Sequence, residues 1–250
     1  MPGDPLSRTQ LDEFVERGWT MLRRGFAPSL AATVRAALGE YLDRDLDGDD
    51  GGERAVWIQE VFQTSPYVDA LTDRFCAAVD QLVGAHRWQL DRVMGWWRIT
   101  FPGYDDSRAA NWHVEGEFRH HVWSPEQAIV NLFCFSTVEP GGGGTRLVEG
   151  SHLTVARLLW EAEPEGLDGD DIWPLMNRVF HEAQWARETE ITAEEGDVVL
   201  AHPLLFHSSN VNHGVRARVM AQPRFDMTEP KRTDGVGLFP VEAAIARTRP

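Results

Sequence analysis

Lysine is almost missing from this chain of 250 residues: of 24 basic residues only Lys231 is a lysine, against 39 acidic ones, for a formal net charge of -15. Surfaces built for phosphate backbones or anionic lipid concentrate Lys and Arg, so neither nucleic acid nor a membrane is expected as a partner. Cysteine is scarce too. Cys76 and Cys134 are the only two, both in apolar surroundings, which predicts buried free thiols and no disulfide framework. No run approaches the roughly 20 apolar residues of a membrane helix, and residues 1–9 lack a basic start followed by an apolar stretch, so a cytoplasmic protein is expected. Repeats and linkers are also lacking, and at this length one domain over residues 1–250 is expected.

What is present is ordinary globular material, 42% hydrophobic and 25% charged. Ser7 followed by Gln10 is a capping-box pattern, and Leu11, Phe14 and Val15 continue at helical spacing, predicting a helix over about 7–17. A short strand at 19–22, a helix at 28–42 and a third at about 66–83 complete a helical part spanning about 7–84. Aromatic and β-branched segments divided by Gly and Pro follow at 93–101, 128–138, 145–148, 197–200 and 215–225, predicting a β-rich core over about 88–226. A helical insertion at about 154–184 interrupts it, with Leu158, Leu159, Trp160, Ile172, Trp173, Leu175 and Met176 at helical spacing. The run Asp43, Asp45, Asp47, Gly48 looks like the start of a calcium loop, but Arg54 stands where the bidentate acid belongs and Asp50 where an apolar residue belongs. It reads as a solvated acidic loop.

The chemistry starts at Asn111-Trp112-His113-Val114-Glu115. On an extended strand, His113 and Glu115 point to one side and can chelate one ion, as non-haem Fe(II) sites require of two imidazoles and a carboxylate. By itself His-x-Glu is a weak signal. The stretch from Gly196-Asp197 through His207-Ser208-Ser209-Asn210-Val211-Asn212 to Arg218 adds to it, as does Pro140-Gly141-Gly142-Gly143-Gly144-Thr145 ending in Gly150-Ser151-His152. Together these segments resemble the phytanoyl-CoA dioxygenase family over roughly residues 7–226.

The resemblance implies a mainly β fold with flanking helices, a double-stranded β-helix (jelly-roll, cupin-like). It implies an Fe(II)- and 2-oxoglutarate-dependent dioxygenase with His113, Glu115 and His207 as metal ligands, O2 as oxidant, and succinate and CO2 released. It also assigns the distal carboxylate of 2-oxoglutarate to Arg218, which the guanidinium fork suits; Arg216, two residues away, is the rival. Ser209, Thr145 and Asn131 are expected polar contacts to the co-substrate. His202 competes with His207 but lies five residues too early for the spacing to Asn212 and Arg218. The family usually has Asp where Glu115 stands; related halogenases have a small residue there, so the carboxylate argues for oxygen chemistry.

The expected substrate is a small organic molecule, with hydroxylation the leading outcome and natural-product biosynthesis the expected setting. Desaturation, cyclisation and epimerisation use the same chemistry. A CoA thioester fits poorly, for want of a basic cluster. One of the adjacent Trp96 and Trp97 should face inward; Trp97, with Trp57, Phe118, Arg119 and His120, is the expected pocket lining, and the loop 119–126 and the insertion are expected to carry specificity. The competing readings are a catalytically silent jelly-roll that binds a metal or small ligand, and a cupin-like metalloenzyme without 2-oxoglutarate.

Overall fold

The computed structural model describes residues 4–47, 54–104, 112–168, 171–172, 174–175, 178 and 188–250. The first helix forms where the sequence caps it: α1 (Arg8–Arg17) opens with the Ser7 hydroxyl accepting from Gln10 N while the Gln10 side chain accepts from Ser7 N, and closes at Gly18 in the left-handed region. After β1 (Trp19–Leu22), Pro28 opens α2 (Pro28–Leu42). The helix expected over 66–83 is split. Residues Tyr67–Ala70 make a single 3-10 turn, and α3 (Asp73–Val83) starts afresh because the Thr72 hydroxyl caps Phe75 N and donates to Gly25 O. Asp43 ends α2, and Asp47 accepts from Arg35 at 2.8 Å; Gly48 and Asp50 lie outside the described residues.

The strands are β2 (Ala55–Ile58), β3 (Trp97–Thr100), β4 (Val130–Cys134), β5 (Arg146–Val148), β6 (Glu188–Glu190), β7 (Val198–Ala201), β8 (His207–Ser208) and β9 (Arg218–Ala221). They form a six-stranded antiparallel sheet in the order β1-β7-β4-β9-β3-β2 and a three-stranded one in the order β6-β5-β8. The period-2 alternation of side chains sorts the core into layers. Val198, Leu200, Val219, Ala221 and Phe133 face α1–α3, with Phe75 and Val79. Val199, Ala201, Met220, Leu132 and Cys134 face the small sheet, where Leu147 and Leu205 meet them. Val148 and Phe206, on the far side of the small sheet, pack with Val155 and Leu159 of α4 (Ser151–Ala162) and Ile245 of α5 (Pro240–Ala246). This is the jelly-roll architecture.

The insertion helix begins at Ser151, three residues before the expected start, because Gly150 takes the left-handed conformation. Trp173, Met176 and Gln184, expected within that insertion, lie outside the described residues, as does His181. Gly144 shows why the turn before β5 is glycine: a Cβ there would lie 1.9 Å from Ile191 O. Cys134 is buried, its thiol pushed up to about 12 by burial, while Cys76 is half-buried; both are free. Among the described residues, no helix is long and apolar enough to cross a membrane.

Candidate metal centre and co-substrate cavity

His113 and His207 are 94 positions apart in sequence and directly opposite each other in space. They form an antiparallel bridge in which each backbone N–H donates to the other's carbonyl at 3.0 Å, which extends the small sheet past β8. Their rings lie with centroids 4.3 Å apart, and Glu115, two residues beyond His113, turns its carboxylate to the same side. One donor atom from each of His113, Glu115 and His207 lies within 4.8 Å of the others.

The protonation pattern suits a cation. His207 Nδ1 lies 2.9 Å from Leu205 O, and a carbonyl only accepts, so Nδ1 carries a proton. Nε2 then faces Glu115 Oε2 at 3.3 Å, an arrangement that needs a proton or a metal between two electron-rich atoms. Burial alone would raise the Glu115 pKa; the hydrogen bond and charge of His207, the charge of His113 and the amide of Gln222 outweigh it and hold the carboxyl at about 2. Gln222 is a residue the sequence reading missed. Its Nε2 donates to Glu115 Oε2 at 2.6 Å.

A cavity of about 610 Å³ opens in front of the triad, bordered by His113, Glu115, His207, Thr145, Ser209 and Arg218 among others. Arg218 is 3% exposed; its Nη1 donates to Thr145 Oγ1 at 3.4 Å, while its Nε is buried without a hydrogen-bond partner among the described residues. No carboxylate pairs with Arg218 among the described residues. Burial and the neighbouring Arg98 guanidinium lower its pKa to about 10, so it is still a cation at neutral pH. A buried charge without a partner is costly, and a bound carboxylate removes that cost.

Arg216 is exposed and lies in the turn before β9, where Asn212 Nδ2 donates to its carbonyl at 3.0 Å and to Thr100 O at 2.9 Å. The motif asparagine thus stitches the turn that delivers Arg218 into the strand.

Asn131 has to be corrected. It shares the parity of Phe133 on β4 and is turned toward the helical layer, away from the cavity, donating to the carbonyls of Ile129 and Pro223. His202 is core: Nε2 lies 3.1 Å from Val241 O, and Nδ1 accepts from Leu204 N.

Of the expected pocket residues, Trp57 borders the cavity. Trp97 borders it as well, but its ring packs among Phe62, Tyr67 and Phe135. Phe118 and His120 do not border it: their rings lie 4.1 Å apart, tilted by 30°, beside a small separate depression, with His120 Nε2 3.1 Å from Gly116 O. The loop 119–126 is fastened elsewhere. Arg119 pairs with Asp168, Val122 N donates to Glu163, and Lys231 donates to the carbonyls of Ser124 and Glu126. Trp96, the alternative to Trp97, borders the cavity with φ 53°, a left-handed conformation that costs a bulky residue about 1–3 kcal/mol. Gly95 before it is needed, since a Cβ there would lie 2.6 Å from Val61 Cγ1.

The family model of phytanoyl-CoA dioxygenase (PhyH) matches residues 14–220. The chain belongs to the phytanoyl-CoA dioxygenase family. It is a non-haem Fe(II)- and 2-oxoglutarate-dependent oxygenase. No curated protein sequence matches it.

Solved structures share the fold at low identity. HygX from Streptomyces hygroscopicus, with nickel and 2-oxoglutarate bound, superposes with a TM-score of 0.58 at 17% identity, over 89% of this chain and 88% of that one. SnoK, a non-heme alpha-ketoglutarate-dependent carbocyclase from nogalamycin biosynthesis, gives 0.59 at 19% over 93% and 88%. Apo EctD from S. alaskensis gives 0.58 at 18% over 90% and 79%. HygX has also been solved with hygromycin B bound.

Proposed function

We propose that His113, Glu115 and His207 hold Fe(II), that Arg218 with Thr145 and Ser209 holds the distal carboxylate of 2-oxoglutarate, and that the enzyme hydroxylates a small natural-product molecule in the cytoplasm. The observation that carries this reading is Arg218, a buried cation with an orphaned Nε on the wall of the cavity that the triad faces. Arg218, Met220 and Gln222 follow one another at two-residue spacing and all border the cavity, so a single stretch of backbone runs from the guanidinium to the amide that orients Glu115.

Fe(II) and 2-oxoglutarate, when bound, supply the oxidising power for a C–H bond, with succinate and CO2 as co-products. The chain's own residues prepare the ground. Leu205 O keeps the His207 proton on Nδ1 and frees Nε2 for a metal. Gln222 fixes one oxygen of Glu115. The hygromycin B carried by HygX and the pathway of SnoK support a natural-product substrate for this chain.

Anaerobic titration with Fe(II) and 2-oxoglutarate, following the visible charge-transfer band of the chelate, tests this. Wild type should show the band and His207→Ala should lack it. Arg218→Ala should need at least about thirtyfold more 2-oxoglutarate, as expected when one partner of a buried charge pair is removed. No band in folded, iron-loaded wild type overturns the assignment and favours a silent jelly-roll.

A further inference from the structure

Two indoles stand half in water at the cavity, Trp57 at 58% exposure and Trp96 at 49%. A large aromatic ring is ordinarily buried for most of its surface, so two half-exposed on the border of one cavity ask for a ligand. The strand register brings them together. Trp57 of β2 pairs with Arg98 of β3, and Trp96 stands immediately before β3, so both tryptophans border the cavity where these two strands meet.

Both indoles are held in place. The Arg98 guanidinium lies 4.4 Å from the centre of the Trp57 ring and donates to the Tyr104 hydroxyl at 2.5 Å. Trp96 is kept in its left-handed conformation although its half-exposed ring fills no core, and strain of this kind gathers at ligand sites. Beside the indoles, Gln59, Arg98 and Arg224 border the same cavity, and all three carry N–H donors suited to acceptor oxygens.

We propose that Trp57 and Trp96 form an aromatic platform for the substrate, and that the substrate is a flat, fused-ring molecule bearing hydroxyl or carbonyl oxygens. The inference rests on the reading that oxidation takes place in this cavity. The cavity of about 610 Å³ has the size of a pocket for a drug-sized ligand, and the platform gives a ring face more contact than a straight acyl chain.

The test uses the whole chain without metal, so that it stands apart from the iron assignment. Calorimetric titration with 7-hydroxycoumarin, maltose and n-nonanoate is made on wild type, Trp57→Ala, Trp96→Ala and Trp123→Ala. Trp123 is a half-exposed tryptophan outside the cavity, stacked on His121, and serves as the control. Hydroxycoumarin should bind wild type and Trp123→Ala alike and bind Trp57→Ala and Trp96→Ala about tenfold more weakly. Trp57→Phe and Trp96→Phe should recover most of that loss.

Preference for maltose or nonanoate, no saturable hydroxycoumarin binding to wild type, or binding indifferent to both tryptophans each overturns the platform. The chelate band of Trp57→Ala is read separately: its persistence while hydroxycoumarin affinity falls assigns the loss to substrate recognition. Its absence from wild type would count against the metal assignment and leave the platform result standing.

Discussion

The amide of Gln222 donates to Glu115 Oε2, so one carboxylate oxygen is oriented before any cation arrives. Hydrogen bonds to metal-ligating groups commonly govern affinity by ten- to a hundredfold. Gln222→Leu should therefore weaken Fe(II) binding by about that factor with the fold intact, because the side chain borders a cavity; competition against a chelator measures it. An unchanged affinity would mean that Glu115 is held well enough by His207 alone. Gln222 could have been found in the sequence, since it stands four residues after Arg218 and the period of a strand puts both on one face. The left-handed conformation of Trp96, which turns that side chain to the cavity border, could not, because it has no signature beyond the glycine before it.

At the scale of elements, the break between the 3-10 turn and α3 depends on Thr72, whose hydroxyl both caps Phe75 N and donates to Gly25 O. Thr72→Ala should cost about 1–2 kcal/mol, read as a lowered thermal midpoint, and Thr72→Ser should restore most of it. A capping box in α1, and an amphipathic period opened by Pro28 in α2, made both legible almost to the residue, because each carries its signal locally. Strand placement was legible and strand parity was not. Asn131 shows the difference: the apolar run 128–138 is buried on both faces, so composition does not say which residues turn to the cavity. β2 and α5 went unread: β2 has only one of its four residues buried and so lacks a core pattern, and the seven residues of α5 are too few to show a helical period. That His113, Glu115, His207 and Arg218 come together at one cavity was legible for the opposite reason: their spacing belongs to a motif, whatever the register.

For the molecule as a whole, three buried histidines, His120, His152 and His202, are held below their usual pKa by burial and weaken the fold in acid. Burial, only partly opposed by the Val15 carbonyl, lowers His152 to about 4, and burial with its neighbour His152 lowers His202 well below the usual value. A histidine with its folded pKa depressed takes up its proton more readily when unfolded, so stability declines as pH falls from about 6.5 toward 4. From His152 the loss is about 3 kcal/mol at the lower end of that window. The urea midpoint should accordingly drop between pH 7 and pH 4.5, and a level profile would show that none of the three rings is kept neutral.

The bridge between His113 and His207 has a bearing on how the protein holds itself together. The two backbones already exchange a pair of hydrogen bonds, so an ion gripped by both rings would act as a buckle on a belt of 94 residues. Unlike a disulfide, such an ion leaves when the chain unfolds, so it stabilises the folded state through its occupancy, in a chain whose two cysteines are both free. Metal loading is then also a form of cross-linking, one that can be undone by chelation.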